Sequence, residues 1–284
     1  MVYLLLHIVG SSATMLLLRY LGHRGLPVAY AIAVNYLVCV VVGSAASGWP
    51  LLHVDFWRSP WIPFALAQGA LLIGIFFIID RCAAQIGIGL SSLIARLSVV
   101  IPTAAAFVLY GDSITSAKIA GVGLVVCALV LCSRQRAVSS GAFTALPVLL
   151  LVAYGGHSTL YKWVQETYLE PENYAGYVLT SFFFAAILGV SYASLLYAKQ
   201  VHQLTPHVLI MGLVIGFTNF LSVYFLLLAL GLSGLESSIV FPVLAVSVVV
   251  ISTLGGYVLF GERLDRQQRF GMVIGLLSIV VLLQ

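Results

Sequence analysis

The chain has 284 residues, of which 62% are hydrophobic and only 8% are charged, and its mean hydropathy is +1.12. A soluble domain of this length needs far more charge to keep its surface in water, so most of this surface must face lipid. Thirteen Lys and Arg residues against nine Asp and Glu give a net charge of +4, with no basic stripe of the kind that binds nucleic acid. The four cysteines lack metal-ligand spacing, so we expect neither a metal nor another cofactor.

Ten apolar runs follow one another along the chain, and each can form a transmembrane helix, which needs about 20 apolar residues. They are Val2–Leu18, Val28–Ala46, Trp61–Ile79, Gly87–Tyr110, Ala117–Ser133, Phe143–Trp163, Tyr174–Ala198, His207–Leu230, Ser237–Phe260 and Phe270–Leu283. The runs are too long for barrel strands, which span a bilayer with roughly 9–11 alternating residues. The sequence therefore predicts an all-α polytopic membrane protein with ten transmembrane helices and short connections.

Two segments of the chain resemble each other in the order of their residues. The first segment is Leu109-Tyr110-Gly111-Asp112, and the apolar helix that follows it opens with Gly121. The second segment is Leu259-Phe260-Gly261-Glu262, and the apolar helix that follows it opens with Gly271. The two copies are 150 positions apart (111 to 261, 121 to 271). This correspondence predicts an internal repeat of five helices.

The predicted repeats are residues 1–135 and 136–284, which form one integral membrane unit. Because five is an odd number, the second repeat enters the membrane from the opposite side. Inverted repeats are typical of secondary transporters, since two related halves can rock to open a central site to each side in turn. A channel, an accessory membrane subunit and a membrane enzyme stay open as alternatives.

Several short motifs, spread over the whole chain, occur in the same order as in a known protein family. The motifs are Val34-Asn35-Tyr36, Arg96–Pro102, Tyr110-Gly111-Asp112, Lys118–Gly121, Gly216–Phe220, Ser237–Pro242, Leu259–Leu264 and Gly271–Leu283. In this order they resemble EamA-type permeases of the drug/metabolite transporter superfamily. Asp112 departs from the pattern, because the family usually has Glu at this position.

The resemblance implies a ten-helix inverted-repeat fold, with a central cavity lined mainly by the first, third, fourth, sixth, eighth and ninth helices. It implies no particular substrate, because relatives move amino acids, nucleotide sugars, amines and other metabolites. We expect the protein in the bacterial inner membrane. The distribution of Lys and Arg predicts both chain ends outside, whereas relatives have both ends in the cytoplasm; we favour the family orientation.

Arg96 is the most informative candidate for substrate binding, because it lies about a third of the way into the fourth apolar run, near Ser92. A charge inside a membrane segment costs a few kcal/mol, so Arg96 should face a cavity or a partner. Its planar guanidinium can bind a carboxylate or phosphate with two hydrogen bonds. The alternatives are a structural ion pair and a side chain that reaches the membrane surface.

Other polar residues complete the predicted site. Glu236 opens the ninth helix and, together with Arg96, would suit a zwitterion; the alternative is a carboxylate stabilised at a helix N-terminus. His157 in the sixth helix could couple transport to protons or pack between helices. The remaining candidates are Asn219, Tyr154 and Tyr224.

An enzyme is not expected. Gly231-Leu232-Ser233-Gly234 resembles the motif of intramembrane serine proteases, but those need a later histidine base, and the last histidine is His207. We therefore predict a secondary transporter of a small polar or zwitterionic, amino-acid-like metabolite, with a proton or counter-substrate as the coupling partner. Gly212-xxx-Gly216 and Gly271-xxx-Gly275 allow close helix approach, within one chain or between two copies in a homodimer.

Overall fold

The structure is a computed structural model that describes residues 1–133, 145–199 and 205–284. Most of these residues are in helices. In these ranges the α-helices are α1 (Val2–His23), α2 (Val28–Ala46), α3 (Ile62–Ile86), α4 (Ile88–Leu97), α5 (Val100–Leu109), α6 (Ser116–Cys132), α7 (Leu146–Tyr168), α8 (Tyr174–Ala198), α9 (Pro206–Leu232), α10 (Ser237–Phe260) and α11 (Arg266–Leu282). Short 3-10 turns lie at Pro50–Leu52, Val54–Arg58 and Pro171–Asn173, and the described residues include no strand. The all-α prediction is confirmed for this part of the chain.

Within the described residues, seven helical segments are long and apolar enough to cross a membrane, which indicates an integral membrane protein. They are Val2–His23, Val28–Ala46, Ile62–Ile86, Leu90–Leu109, Pro171–Ala198, Pro206–Leu232 and Ser237–Phe260. Three further apolar runs were predicted to span. Of these, α6 and α11 have 17 residues each, and α7 includes His157, Lys162 and Glu166 among its 23 residues.

The fourth apolar run is interrupted, although the sequence predicted one continuous helix over Gly87–Tyr110. The structure divides it into α4 and α5 at Ser98 and Val99, where backbone bonds change to the tighter i to i−3 pattern. Pro102 explains the break, because it has no N–H to donate to the Ser98 carbonyl and its ring would clash with that group. Hydrophobic periodicity continues through the break and so did not reveal it.

The chain packs into two compact units, each built from two separate stretches. Unit 1 contains Met1–Ile73 and Trp163–Ser233, and unit 2 contains Gly74–Lys162 and Gly234–Gln284. Each unit thus draws helices from both halves of the sequence. The predicted repeat boundary between residues 135 and 136 lies outside the described residues.

In unit 1, α9 packs closely on α2 through two glycines. A Cβ atom on Gly216 would lie 2.5 Å from the Val38 Cβ, and one on Gly212 would lie 2.7 Å from the Val34 Cβ. Both distances are shorter than van der Waals contact, so only glycine fits this interface. The Gly212-xxx-Gly216 stripe therefore makes its contact within the chain.

In unit 2, α6 and α11 pack against each other in antiparallel directions. Gly121 at the start of α6 faces Leu282 at the end of α11, while Gly271 at the start of α11 faces Leu131 and Cys132 at the end of α6. The contacts Gly121–Leu282 and Gly271–Cys132 are equivalent under the predicted repeat, since both partners are shifted by 150 positions (121 to 271, 132 to 282). Gly275, in the other predicted stripe, packs against Val246 of α10.

The connections that lead into α6 and α11 have the same local structure. Gly111 and Gly261 end the preceding helices with φ angles of 69° and 64°, values that glycine adopts readily. The next residue donates its N–H over 3.3 Å in both copies, Asp112 to the Ala106 carbonyl and Glu262 to the Gly256 carbonyl. In both copies this hydrogen bond, made six residues back along the chain, satisfies a carbonyl left open at a helix end.

The glycine contact between α9 and α2 yields a stability prediction. We expect Gly216→Ala to lower the free energy of unfolding by about 1–3 kcal/mol, because the new methyl group would collide with Val38 and with the Asn35 carbonyl. Gly123→Ala is the matched control, since Gly123 lies mid-helix in α6 and a Cβ there would meet nothing within 4 Å. Thermal unfolding in detergent measures both variants. Equal midpoints for the two would contradict the packing argument.

Candidate functional site

The seven residues predicted to bind substrate divide between the two units. Ser92 and Arg96 on α4, Tyr154 and His157 on α7, and Glu236 directly before α10 belong to unit 2, whereas Asn219 and Tyr224 on α9 belong to unit 1. Each unit therefore has its own set of polar groups.

Arg96 lies in the last turn of α4, directly before the break that separates α4 from α5. Its side chain is half-buried and close enough to Cys132, at the end of α6, for a Coulombic interaction. The open carbonyl groups of a helix C-terminus favour a cation, so α4 itself helps to stabilise this charge. Ser92 lies one turn earlier on the same face of α4 and is also half-buried.

One face of α7 carries Tyr154, His157 and Tyr161, because spacings of three and four residues bring side chains together on a helix. The rings of His157 and Tyr161 meet edge to face, with centroids 5.0 Å apart and planes at 84°. Tyr161 is buried, and the other two are half-buried. The packing interpretation of His157 thus has a defined ring contact, while its proton-coupling role stays a prediction.

Lys162 is a buried cation, although its position near the end of the sixth apolar run predicts a side chain that reaches the membrane surface. The apolar run predicted here ended at Trp163, but α7 continues to Tyr168, so Lys162 lies inside the helix and is 6% exposed. Its Nζ lies 5.5 Å from the centre of the Tyr110 ring, within the range of a cation–π interaction.

Glu236 belongs to an ion-pair cluster that we name the α10 anchor, made of Glu236, Lys118 and Ser113. The carboxylate accepts hydrogen bonds from the Lys118 Nζ, from the Ser113 N–H at 2.9 Å and from the Ser113 hydroxyl at 3.0 Å. Lys118 also donates to the Ser113 carbonyl at 2.9 Å and is itself buried. The hydrogen bond from Lys118 is the main reason that the pKa of Glu236 is lowered.

Asp112 supports the same region from the neighbouring position. Its carboxylate accepts a hydrogen bond of 2.7 Å from the Ser238 N–H, one of the open donors in the first turn of α10. The loop between α5 and α6 is therefore tied to the start of α10 by both Asp112 and Ser113.

The α10 anchor has no charged counterpart at the positions that the repeat makes equivalent. Lys118 corresponds to Gln268 at the offset of 150, and Glu236 corresponds to Leu90 at the offset of 146 that relates Ser92 to Ser238. Thr115 and Asp265, which cap α6 and α11, do match, since each accepts a hydrogen bond from the N–H three residues later. The backbone motif is thus duplicated, but its ion pair is not.

Unit 1 contains a polar cluster between α1 and α9, which we name the His7 cluster. His7 Nδ1 lies 2.8 Å from the Ser222 carbonyl oxygen, and the Ser11 hydroxyl lies 3.3 Å from His7 Nε2 and 2.7 Å from the Ser222 hydroxyl. One turn further along, the hydroxyls of Thr14 and Thr218 are 2.8 Å apart. These contacts lie inside two of the apolar helices.

The spacing of three polar residues in the sequence is a signal for the His7 cluster. His7, Ser11 and Thr14 recur at intervals of four and three residues, which puts them on one face of a mainly apolar helix. Charged residues within or beside apolar runs are the more conspicuous signal, and they indicate Arg96 and Glu236. The partners on α9 could not be found in this way, because they are more than 200 residues away.

Asn219 and Asn35 form a second polar contact in unit 1. The Asn219 amide donates to the Asn35 side-chain oxygen over 3.1 Å, and buried Cys39 donates to the Gly216 carbonyl over 3.3 Å. Tyr224 stacks on Phe220, with ring centroids 6.2 Å apart. Asn219 thus has the interhelical hydrogen bond expected of an amide within a membrane helix.

Comparisons with known proteins establish the fold and a distant relative. No family model matches the chain. An uncharacterised protein of Haemophilus influenzae is 27% identical over 292 aligned positions, which cover 98% of this chain and 96% of that protein. A protein with a known crystal structure has a TM-score of 0.73 at 16% identity, over 99% of this chain and 94% of its own. The chain therefore shares its overall fold with a protein whose crystal structure is known.

The α10 anchor predicts a pH dependence of stability. Because the folded pKa of Glu236 is below its usual value of 4.5, the stabilisation is complete above pH 4.5 and is lost as the pH falls through the lowered pKa. We expect Glu236→Gln to unfold at a lower temperature than the wild type at pH 7, with the difference disappearing in strong acid.

Thermal unfolding between pH 3 and pH 7 measures this difference. The control is Asp55→Asn, which removes the carboxylate of an exposed pair with Arg58 at 3.2 Å. Pairs of that kind contribute little, so we expect a midpoint close to that of the wild type. A Glu236→Gln effect that is unchanged at pH 3 would contradict the ion-pair explanation.

Proposed function

We propose that this protein is a secondary carrier that moves a small polar or zwitterionic, amino-acid-like metabolite across the membrane by alternating access. The observation that carries the proposal is the pair of equivalent contacts between α6 and α11. Gly121 with Leu282 and Gly271 with Cys132 relate one helix to the other as a twofold axis would.

The antiparallel direction of this pair supports an inverted repeat. If α6 and α11 are the fifth helices of two repeats, their opposite directions require one repeat to be inverted relative to the other. The matching helix ends at Gly111 and Gly261 support the same assignment. Ten spans follow when α4 and α5 count as one interrupted span and α6, α7 and α11 cross as well. Carriers use such repeats to exchange two related conformations around one site.

The interrupted span between α4 and α5 supports a substrate role for Arg96. Broken helices at membrane depth are typical of transporter sites, because the exposed backbone groups and helix ends can bind polar substrates or ions. Arg96 lies directly before the break, so its guanidinium is suited to an anionic group of the substrate. Ser92 on the same face, and Tyr154 and His157 on α7, are the other candidates in unit 2.

Glu236 now suits an anchoring role better than a substrate contact. Its carboxylate already accepts three hydrogen bonds from Lys118 and Ser113, which leaves little capacity for a substrate ammonium group. We therefore assign it to a structural contact that joins the start of α10 to Ser113 and Lys118. Asn219 and Tyr224 remain candidates for substrate binding within unit 1.

Counterflow in proteoliposomes tests the carrier proposal against a channel or an accessory subunit. Vesicles are loaded separately with unlabelled amino acids, nucleotide sugars, amines or organic acids, and a trace of the same labelled compound is added outside. We expect one class to drive transient accumulation of label that saturates with concentration. Protein-free vesicles are the control. Entry of label that neither saturates nor depends on the internal compound would indicate a pore and contradict the proposal.

Arg96→Ala tests the anion contact. A ligand at about 100 times its dissociation constant stabilises the folded state by about 2.7 kcal/mol, which a thermal-shift screen detects. We expect the variant to bind the stabilising compound about 10- to 100-fold more weakly, since a hydrogen bond to a charged group contributes about 1.5–3 kcal/mol.

Arg58→Ala, which removes an exposed loop arginine, is the control for Arg96→Ala and should bind like the wild type. Unchanged affinity in a folded Arg96→Ala variant would remove Arg96 from the site.

A further inference from the structure

His7 is an ionisable residue within the first membrane helix, and its contacts differ from those of a histidine held by packing alone. It lies five residues beyond the start of α1, or about 8 Å along the helix axis, so it is near one end of the span. Both ring nitrogens have polar neighbours, and these neighbours belong to two helices. Ionisable groups inside membrane segments commonly serve ion or proton pathways.

The hydrogen-bond pattern defines the protonation of the ring. A carbonyl oxygen can only accept, so the short contact of 2.8 Å with the Ser222 carbonyl assigns a hydrogen to Nδ1, and the Ser222 hydroxyl oxygen lies farther from the same nitrogen, at 3.3 Å. In the neutral ring, Nε2 then has a free electron pair and accepts from the Ser11 hydroxyl at 3.3 Å. Ser11 in turn accepts from the Ser222 hydroxyl at 2.7 Å. The cluster is therefore a chain of donors directed toward Nε2.

The direction of these hydrogen bonds reverses when the ring binds one proton. When Nε2 binds a proton, it becomes a donor to the Ser11 oxygen, and the Ser11 hydroxyl turns to donate to the Ser222 oxygen. The imidazole becomes an imidazolium, one N–H bond forms, and the only other changes are rotations of two hydroxyl groups. The Nδ1 bond to the Ser222 carbonyl is kept, so α1 and α9 stay connected in both states.

The two helices with the main contacts to α1, namely α2 and α9, offer this charge no ionic partner. Neither α2 nor α9 contains an Asp, Glu, Lys or Arg, and Arg19 of α1 lies about three turns beyond His7. The other titratable residues on these helices are Tyr3, Tyr20 and His23 of α1, Tyr30, Tyr36 and Cys39 of α2, and His207 and Tyr224 of α9. A proton on His7 would therefore be held by neutral dipoles, which favours reversible binding over a fixed ion pair.

We infer that His7, Ser11 and Ser222 form the proton-binding site of this protein, in which His7 Nε2 takes up the proton and the two serine hydroxyls reorient to hold it. The inference rests on the proposed carrier function for its role, which is to couple substrate movement to a proton gradient. The sequence prediction gave that role to His157; the donor chain at Nε2 gives it to His7. Water at the membrane surface supplies the proton and receives it again.

Nitrogen NMR tests the site without any knowledge of the substrate. The protein is labelled with ¹⁵N-histidine in lipid nanodiscs, and spectra are recorded from pH 9 to pH 4. We expect the His7 signals to show a neutral ring protonated at Nδ1 at high pH and an imidazolium at low pH. The signals are assigned by their loss in His7→Gln. A ring that stays neutral over the whole range would overturn the inference.

His7→Gln is also the best variant for transport, because its amide can still donate to the Ser222 carbonyl and accept from Ser11 but cannot bind a proton. With a mixture of the twenty labelled L-amino acids and an acidic exterior, we expect the wild type to concentrate label inside the vesicles. His7→Gln should exchange label yet reach only equal concentrations. His53→Gln, which changes an exposed loop histidine, is the control and should behave like the wild type.

The two measurements separate failure of the site from failure of the proposed function. Accumulation by His7→Gln equal to that of the wild type would overturn the proton site while leaving the carrier proposal intact. If the wild type moves none of the tested compounds, the carrier proposal loses its support, and the NMR titration still decides whether His7 binds a proton. Ser11→Ala adds a milder variant, in which we expect the imidazolium spectrum to change because Nε2 has lost its hydroxyl partner.

Discussion

Close approach of helix backbones is the constraint on which both compact units depend. Apolar side chains gain little by leaving lipid for one another, so helices in a membrane associate through close packing and through hydrogen bonds between them. In unit 1 this packing depends on Gly212 and Gly216, where α9 meets α2, and in unit 2 on Gly121 and Gly271, where α6 meets α11. At these four positions a Cβ atom would lie within 2.7 Å of a neighbouring side chain. The small residue is therefore a condition of the fold.

Polar chemistry is concentrated where this packing brings two helices or a helix end together. Hydrocarbon offers no hydrogen bonds, so each polar group must find its partner within the protein. His7 finds partners across the α1–α9 interface, and Glu236 finds them in the loop that joins α5 to α6. The first contact is between neutral groups and can change its protonation. The second is an ion pair with buried Lys118 and stabilises the start of α10.

The matching helix ends before α6 and α11 separate the features that both ends share from a feature that only one of them has. The glycine that ends the preceding helix and the side chain that caps the next one recur in both copies, because they satisfy backbone groups that every helix end leaves open. The Lys118–Glu236 pair occurs at only one of the two equivalent positions.

The sequence by itself determined the helical membrane class and most helix positions, because apolar runs of membrane length and their polar boundaries are local properties. The bounds of α2, α8 and α10 agree with the predicted runs to the residue. It also identified Gly111 and Gly261 as related positions. The break before α5 has a local cause in Pro102, but the hydrophobic pattern did not reveal it. Tertiary structure decided the site of each glycine contact and the partners of Glu236 and His7, because these depend on groups distant in sequence, such as Ser222 for His7.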